Sequence, residues 1–200
     1  MKLKKTIILK ILAILAGIAP LAWLIYLITS NQLSADPAKD VQHFTGTTTI
    51  NFLLATLLLS PLARLPRATI LNSLRRTLGL TTFFWSLLHI LSYFIFELAF
   101  DFSLFFSEIF QRTYLIIGLI AWIGLFLLAI TSNKFSIKQL KKNWKKLHNI
   151  VYPITILAGI HYYISLKVKN STPFIYLAIF IALLGMHFYF KHRKYKKKNS

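Results

Sequence analysis

Six runs of this chain, at about 7–29, 47–63, 77–96, 113–131, 149–166 and 173–190, keep aspartate, glutamate, lysine and arginine out of their middle. Some 20 apolar residues wound as a helix cross the roughly 30 Å hydrocarbon core of a bilayer. Helices also satisfy every backbone donor and acceptor internally where no water is available to do so. The expectation is an all-α membrane protein, a six-transmembrane-helix bundle. Composition agrees, with 56% hydrophobic and 14% charged residues and a mean hydropathy of +0.60, outside the ordinary range of a soluble domain. The apolar run from Thr6 to Thr29 is longer than the core of a signal peptide, and no small-residue cleavage site closes it, so it reads as a membrane helix. No repeat of 20 to 50 residues is visible. The chain is expected to form one transmembrane domain over 1–200, with 191–200 as a basic tail.

The formal charge of +19 invites a nucleic-acid reading, which needs a basic face on a soluble fold. Here the cations collect between apolar runs instead. Lys2, Lys4, Lys5 and Lys10 lead the first run; Arg64, Arg67, Arg75 and Arg76 follow the second; Lys134 to Lys146 follow the fourth; the tail follows the sixth. Twenty of the 24 lysines and arginines thus fall on one side of the membrane. The other side holds Lys39, Arg112, Lys167 and Lys169 and all five acids: Asp36, Asp40, Glu97, Asp101 and Glu108. Positive loops stay in the cytoplasm, so both termini are expected there. Without cysteine, the chain has no disulfide, thiolate or iron–sulfur chemistry of its own. The lack of charge at mid-depth argues against an ion-coupled transporter.

Histidines are the polar exception. His89 lies eight residues, about 12 Å, below the outer end of the third run, and His161 lies six residues, about 9 Å, before the outer end of the fifth. If those helices are neighbours, the two imidazoles face one another near the outer leaflet, with room for a haem iron between them. A neutral imidazole offers a lone pair to iron, and ligation satisfies an otherwise costly buried polar group. A buried histidine also has a plainer role open to it, as an interhelical hydrogen-bond partner worth about 0.6 kcal/mol. His43 in an outer loop and His192 in the tail read as solvated, and His187 as a packing or snorkelling residue. His148, about 20 Å of rise from His161, sits at the cytoplasmic edge. The matching level of the third helix carries Arg75 and Arg76, and no histidine. Two roles are open to these arginines: anchors at the membrane surface, or a clamp on an anionic group such as a haem propionate or flavin phosphate.

The ordered segments SADPAKDVQHFTG (34–46), SPLARL (60–65), RRTLGL (75–80), WSLLHILSY (85–93), RTYLIIGLIAW (112–122) and WKKLHNIVYPITILAGIHY (144–162) resemble the MsrQ family. These are haem-binding membrane subunits of bacterial periplasmic methionine sulfoxide reductase systems, grouped with the ferric reductase-like transmembrane domains. The resemblance runs from about residue 10 to 180. It implies haem b on histidines of the third and fifth helices, at positions matching His89, His148 and His161. It also implies FMN, a cytoplasmic flavin reductase or the quinone pool as electron donor, and a periplasmic molybdopterin catalytic subunit, MsrP-like, as acceptor in the inner membrane. That partner repairs oxidised methionine in envelope proteins. The wider superfamily puts two histidines on the third helix where this chain has only His89, so one bis-histidine haem is expected on the outer side. His148 is left open to a second haem, the flavin, or both. The chain has no Gly-rich dinucleotide fingerprint, so electrons are expected from another molecule, for which the basic inner surface is a plausible dock. The alternative reading keeps the haem but serves a ferric or oxygen reductase; a haem-free transporter or scaffold is the third.

Overall fold

The computed structural model describes residues 2–65, 68–166 and 171–199. Arg67, Lys167 and Lys169, three of the cations used above to orient the chain, lie outside them. Among the described residues every regular element is a helix. The order is α1 (Lys2–Thr29), α2 (Pro37–Leu62), α3 (Arg75–Ser92), α4 (Phe102–Gln111), α5 (Thr113–Ile130), α6 (Lys134–Leu140), α7 (Lys142–His148), α8 (Val151–Ser165) and α9 (Thr172–Asn199). A 3-10 segment, Thr69–Leu74, leads into α3, and a π-helical turn, Tyr93–Glu97, prolongs it.

Five of these helical stretches are long and apolar enough to cross a membrane: 4–29, 37–62, 70–97, 113–130 and 172–190. The run expected at 149–166 forms α8, which has only 15 residues and so rises about 22 Å. Asn149 and Ile150 make a hydrogen-bonded turn that sets α8 apart from α7. Pro153, with no N–H to give to the preceding turn, fits the start of a helix and not its interior.

Local chemistry sets the helix starts. The Asp36 carboxylate accepts from the Lys39 N–H at 3.2 Å, and Pro37 takes the first helical position, a favoured N-terminal pairing. The helix therefore begins at Pro37 and not at 47, which puts His43 on α2 and corrects its expected loop position. The side chain is still exposed. Asp101 caps α4 through the Leu104 N–H, and Asn133 caps α6 through the Ser136 N–H.

In a membrane, close backbone approach replaces the hydrophobic drive as the source of helix affinity. The packed pairs are α2 with α3, α5 with α8, α9 with α8 and α2, and α1 with α3. Glycines stand at several of these crossings. A Cβ added at Gly124 of α5 would lie 2.5 Å from Ile154 of α8, and one at Gly159 of α8 would lie 2.5 Å from Leu177 of α9. At Gly17 of α1 it would lie 2.9 Å from Thr81 of α3. Ile50, Leu53 and Leu57 pack with Phe180 and Leu183 in one cluster, and Ala121, Leu125 and Leu128 with Ile154 in another. Buried hydroxyls are satisfied within their own helices, as Thr82 donates to the Leu78 carbonyl and Thr155 to the Val151 carbonyl. Such local bonds let threonine sit in apolar surroundings.

Candidate functional site

α3 and α8 bring His89 and His161 together, with ring centroids 6.2 Å apart and planes at 80°. The Nδ1 of each ring faces a backbone carbonyl. His161 Nδ1 lies 2.8 Å from the Tyr114 oxygen, and His89 Nδ1 lies 3.2 Å from the Gln42 oxygen. A carbonyl only accepts, so each Nδ1 carries the proton and donates it. Each Nε2 is then left with its lone pair, and this outer bond is the one that orients metal-ligating histidines and raises their basicity.

His89 has the fuller surroundings. The Thr45 hydroxyl stands 3.3 Å from its Nδ1 while donating to the Val41 carbonyl at 2.8 Å. Ser92 bonds the Gln42 side-chain oxygen and the His89 carbonyl. The π-helical turn begins at the next residue, Tyr93, and such irregularities often accompany functional positions. On the His161 side, Arg112 at the head of α5 is ion-paired with Glu108 and donates to the Tyr114 hydroxyl at 3.3 Å. These two partners, Tyr114 first, hold the Arg112 pKa above its ordinary value. Arg112 thus steadies the residue whose carbonyl holds His161.

This donor set suits haem. Among the described residues no group of three or more His, Cys, Asp or Glu side chains gathers to hold a bare metal ion. If haem bound here, His89 and His161 would be the residues to hold its iron, each with an Nε2 lone pair to offer.

The other candidate residues, His148, Arg75 and Arg76, fall in two groups. The His148 Nε2 lies 3.1 Å from the Thr131 hydroxyl, and its ring stacks on Trp144 at 3.9 Å. Trp144 in turn donates to the Thr131 carbonyl at 2.9 Å. Burial pushes the His148 pKa below its ordinary value, against an opposing bond from Thr131. Arg75 is instead within electrostatic reach of Tyr152 and Arg64. The Tyr152 hydroxyl meets His187 Nδ1 at 2.8 Å, and the Arg64 guanidinium sits 4.4 Å over the Phe190 ring. Arg76 is exposed, as is His192. The sequence reading passed over Gln42, Thr45, Ser92, Tyr114 and Tyr152 because they act through carbonyls, hydroxyls and pairings that no single motif advertises.

Residues 45–159 match the ferric reductase like transmembrane component family. The chain is accordingly a multi-pass membrane protein of the ferric reductase-like class. Over 195 residues it is 46% identical to the protein-methionine-sulfoxide reductase heme-binding subunit MsrQ of Salmonella arizonae, covering 97% of this chain and 98% of that one. The subunits of the same name from Salmonella paratyphi B and Salmonella newport are each 46% identical over 190 residues, covering 94% of both chains. This chain belongs to the MsrQ family. No solved structure matches it.

Proposed function

We propose that this protein is the haem b membrane subunit of a methionine sulfoxide reductase system, with His89 and His161 as axial ligands. The observation that carries the reading is the facing pair of imidazoles, both tied through Nδ1 to carbonyls with their centroids 6.2 Å apart. Haem held there would supply one-electron redox chemistry. His89 and His161 bind and orient it, the Gln42 and Tyr114 carbonyls fix the proton on each Nδ1, and the apolar walls of α3, α5 and α8 exclude water.

The chain crosses the bacterial inner membrane six times with both termini in the cytoplasm, α8 making the short fifth crossing. Electrons enter from a cytoplasmic flavin reductase or quinol at the basic inner side. They leave to a periplasmic molybdopterin catalytic subunit that repairs methionine sulfoxide in envelope proteins. His148, Arg75 and Arg76 serve an inner cofactor, FMN or a second haem. The charge asymmetry supports this direction, as does the 46% identity to subunits named for haem binding in the sulfoxide reductase system. A ferric or oxygen reductase is the second reading, favoured by the match to the ferric reductase like family.

Purified protein is expected to give a reduced-minus-oxidised haem b spectrum that His89→Ala and His161→Ala each largely abolish. Full haem retention in both variants sinks the ligand assignment. Electron delivery to a purified molybdopterin sulfoxide reductase, but not to ferric chelates or oxygen, separates the first reading from the second.

A further inference from the structure

The two imidazole settings repeat. The bond from His89 to the Gln42 carbonyl and the bond from His161 to the Tyr114 carbonyl each span 47 residues. One turn after each carbonyl stands a glycine, Gly46 on α2 and Gly118 on α5, and both touch the ring in question. A Cβ added at Gly46 would lie 3.0 Å from His89 Cε1 and 3.2 Å from its Nδ1. A Cβ added at Gly118 would lie 2.7 Å from both Cε1 and Nδ1 of His161. Carbonyl, glycine and histidine thus recur in the same order at the same spacing (42, 46, 89 and 114, 118, 161). The helix pairs α2–α3 and α5–α8 present their histidines by one device.

The device has a physical reason. Only where a helix lacks a side chain can a ring lie flat enough on its backbone for Nδ1–H to reach a carbonyl one turn back. That bond assigns the tautomer and enriches the electron density at Nε2. A methyl at Gly118 sits closer than real Cβ atoms come to anything, so the ring has to swing away from the Tyr114 carbonyl and the 2.8 Å bond is lost. At Gly46 the contact is tight but less severe, and His89 Nδ1 keeps a neighbour in Thr45.

We infer that Gly46 and Gly118 are a matched pair of positioning residues that seat His89 and His161 against the Gln42 and Tyr114 carbonyls, so that both histidines offer Nε2 to one iron. The inference rests on the haem reading above. Losing the Nδ1 bond weakens the ligand as a donor, which disfavours the ferric state and moves the midpoint potential upward.

The test uses full-length protein purified in detergent with its haem, scored for haem per polypeptide, the electron paramagnetic resonance of the low-spin ferric centre, and midpoint potential. Gly118→Ala is expected to shift the potential positive and change the resonance, or to lose haem outright. Gly46→Ala is expected to act in the same direction but less. Gly124→Ala is the control, since its methyl meets Ile154 in the same helix pair without touching either ring. It is expected to lower thermal stability and leave potential and resonance at their wild-type values. Wild-type potential and resonance in both Gly46→Ala and Gly118→Ala with haem retained overturn the inference, and so does a Gly124→Ala shift as large as that of Gly118→Ala. Where Gly118→Ala does not fold, Gly46→Ala decides. The haem reading fails on a different result, full haem in His89→Ala and His161→Ala.

Discussion

Thr45, 2% exposed, is a buried hydroxyl of the His89 setting. It donates to its own helix at Val41, lies beside His89 Nδ1, and stands 3.4 Å from the Ser92 hydroxyl. Thr45→Val keeps the shape and removes the oxygen, so His89 Nδ1–H falls back on the Gln42 carbonyl alone. The expected cost is about 1 kcal/mol, typical of one lost net hydrogen bond. It is read as a lower midpoint of thermal unfolding, and an unchanged midpoint removes Thr45 from the network. His148 makes a pH-dependent prediction. Burial lowers its folded pKa below the ordinary 6.5, so between the folded and ordinary values the unfolded chain binds the proton that the folded chain refuses. Its contribution to stability is therefore complete above about pH 6.5 and declines as pH falls through that window. His148→Asn keeps a partner for the Thr131 hydroxyl and does not titrate. The stability difference between wild type and His148→Asn is expected to move in favour of the variant from pH 7 to pH 5, and a constant difference rules the effect out.

Between elements, α1 packs on α3, the 3-10 segment and α2. Much of its length is exposed apolar surface, with Ile8, Leu12 and Leu15 each 55% exposed, as a lipid-facing helix has to be. It approaches α3 closely at Gly17, which lets Thr81 close in and whose carbonyl accepts from Trp85 Nε1 at 3.0 Å. Trp85 is fully buried. Trp85→Phe removes that donor and leaves the carbonyl without its partner, a change worth about 1–3 kcal/mol for a buried group. Faster hydrogen exchange along α1, with α5 and α8 unchanged, is the expected result; equal exchange shows that α1 is held by other contacts. The elements also mark what could be read in advance. Helix positions were legible because apolar runs in a membrane have few options, and matched depths let His89 meet His161 only on the condition that their helices were neighbours, which the fold meets. The start of α2 at Asp36 and Pro37 was written in capping residues that a hydropathy reading passes over. The shortness of α8 came from a turn at Asn149–Ile150 and not from any change in apolarity. The carbonyl partners of the histidines were hidden because a backbone oxygen has no letter of its own, although the equal spacing of Gln42 and Tyr114 from their histidines was there to be counted.

At the scale of the whole molecule, the segregation of charge and the direction of electron flow are one question. In the proposed six-crossing topology α8 is the fifth crossing, α4 and its exposed Phe102, Phe106 and Phe110 would lie at the outer face beside the acids, and α6 and α7 would carry Lys134 to Lys146 at the inner face. The imidazole pair then sits near the outer surface, and the Thr131, Trp144 and His148 group at the inner one. Were α8 to enter and leave on one side, the tail would change sides, and a basic tail would face the compartment opposite the equally basic α6 and α7. Retaining positive loops in the cytoplasm disfavours that arrangement. A fluorescent protein fused after Ser200 is expected to be bright and alkaline phosphatase at the same point inactive, since the first requires the cytoplasm and the second the periplasm. Alkaline phosphatase fused within the outer loop after Asp101 is expected to be active. An active phosphatase at the C-terminus means five crossings, which puts the basic tail in the periplasm, takes away the six-crossing inner surface proposed as the point of electron entry, and leaves α8 as a helix that returns to the face it came from.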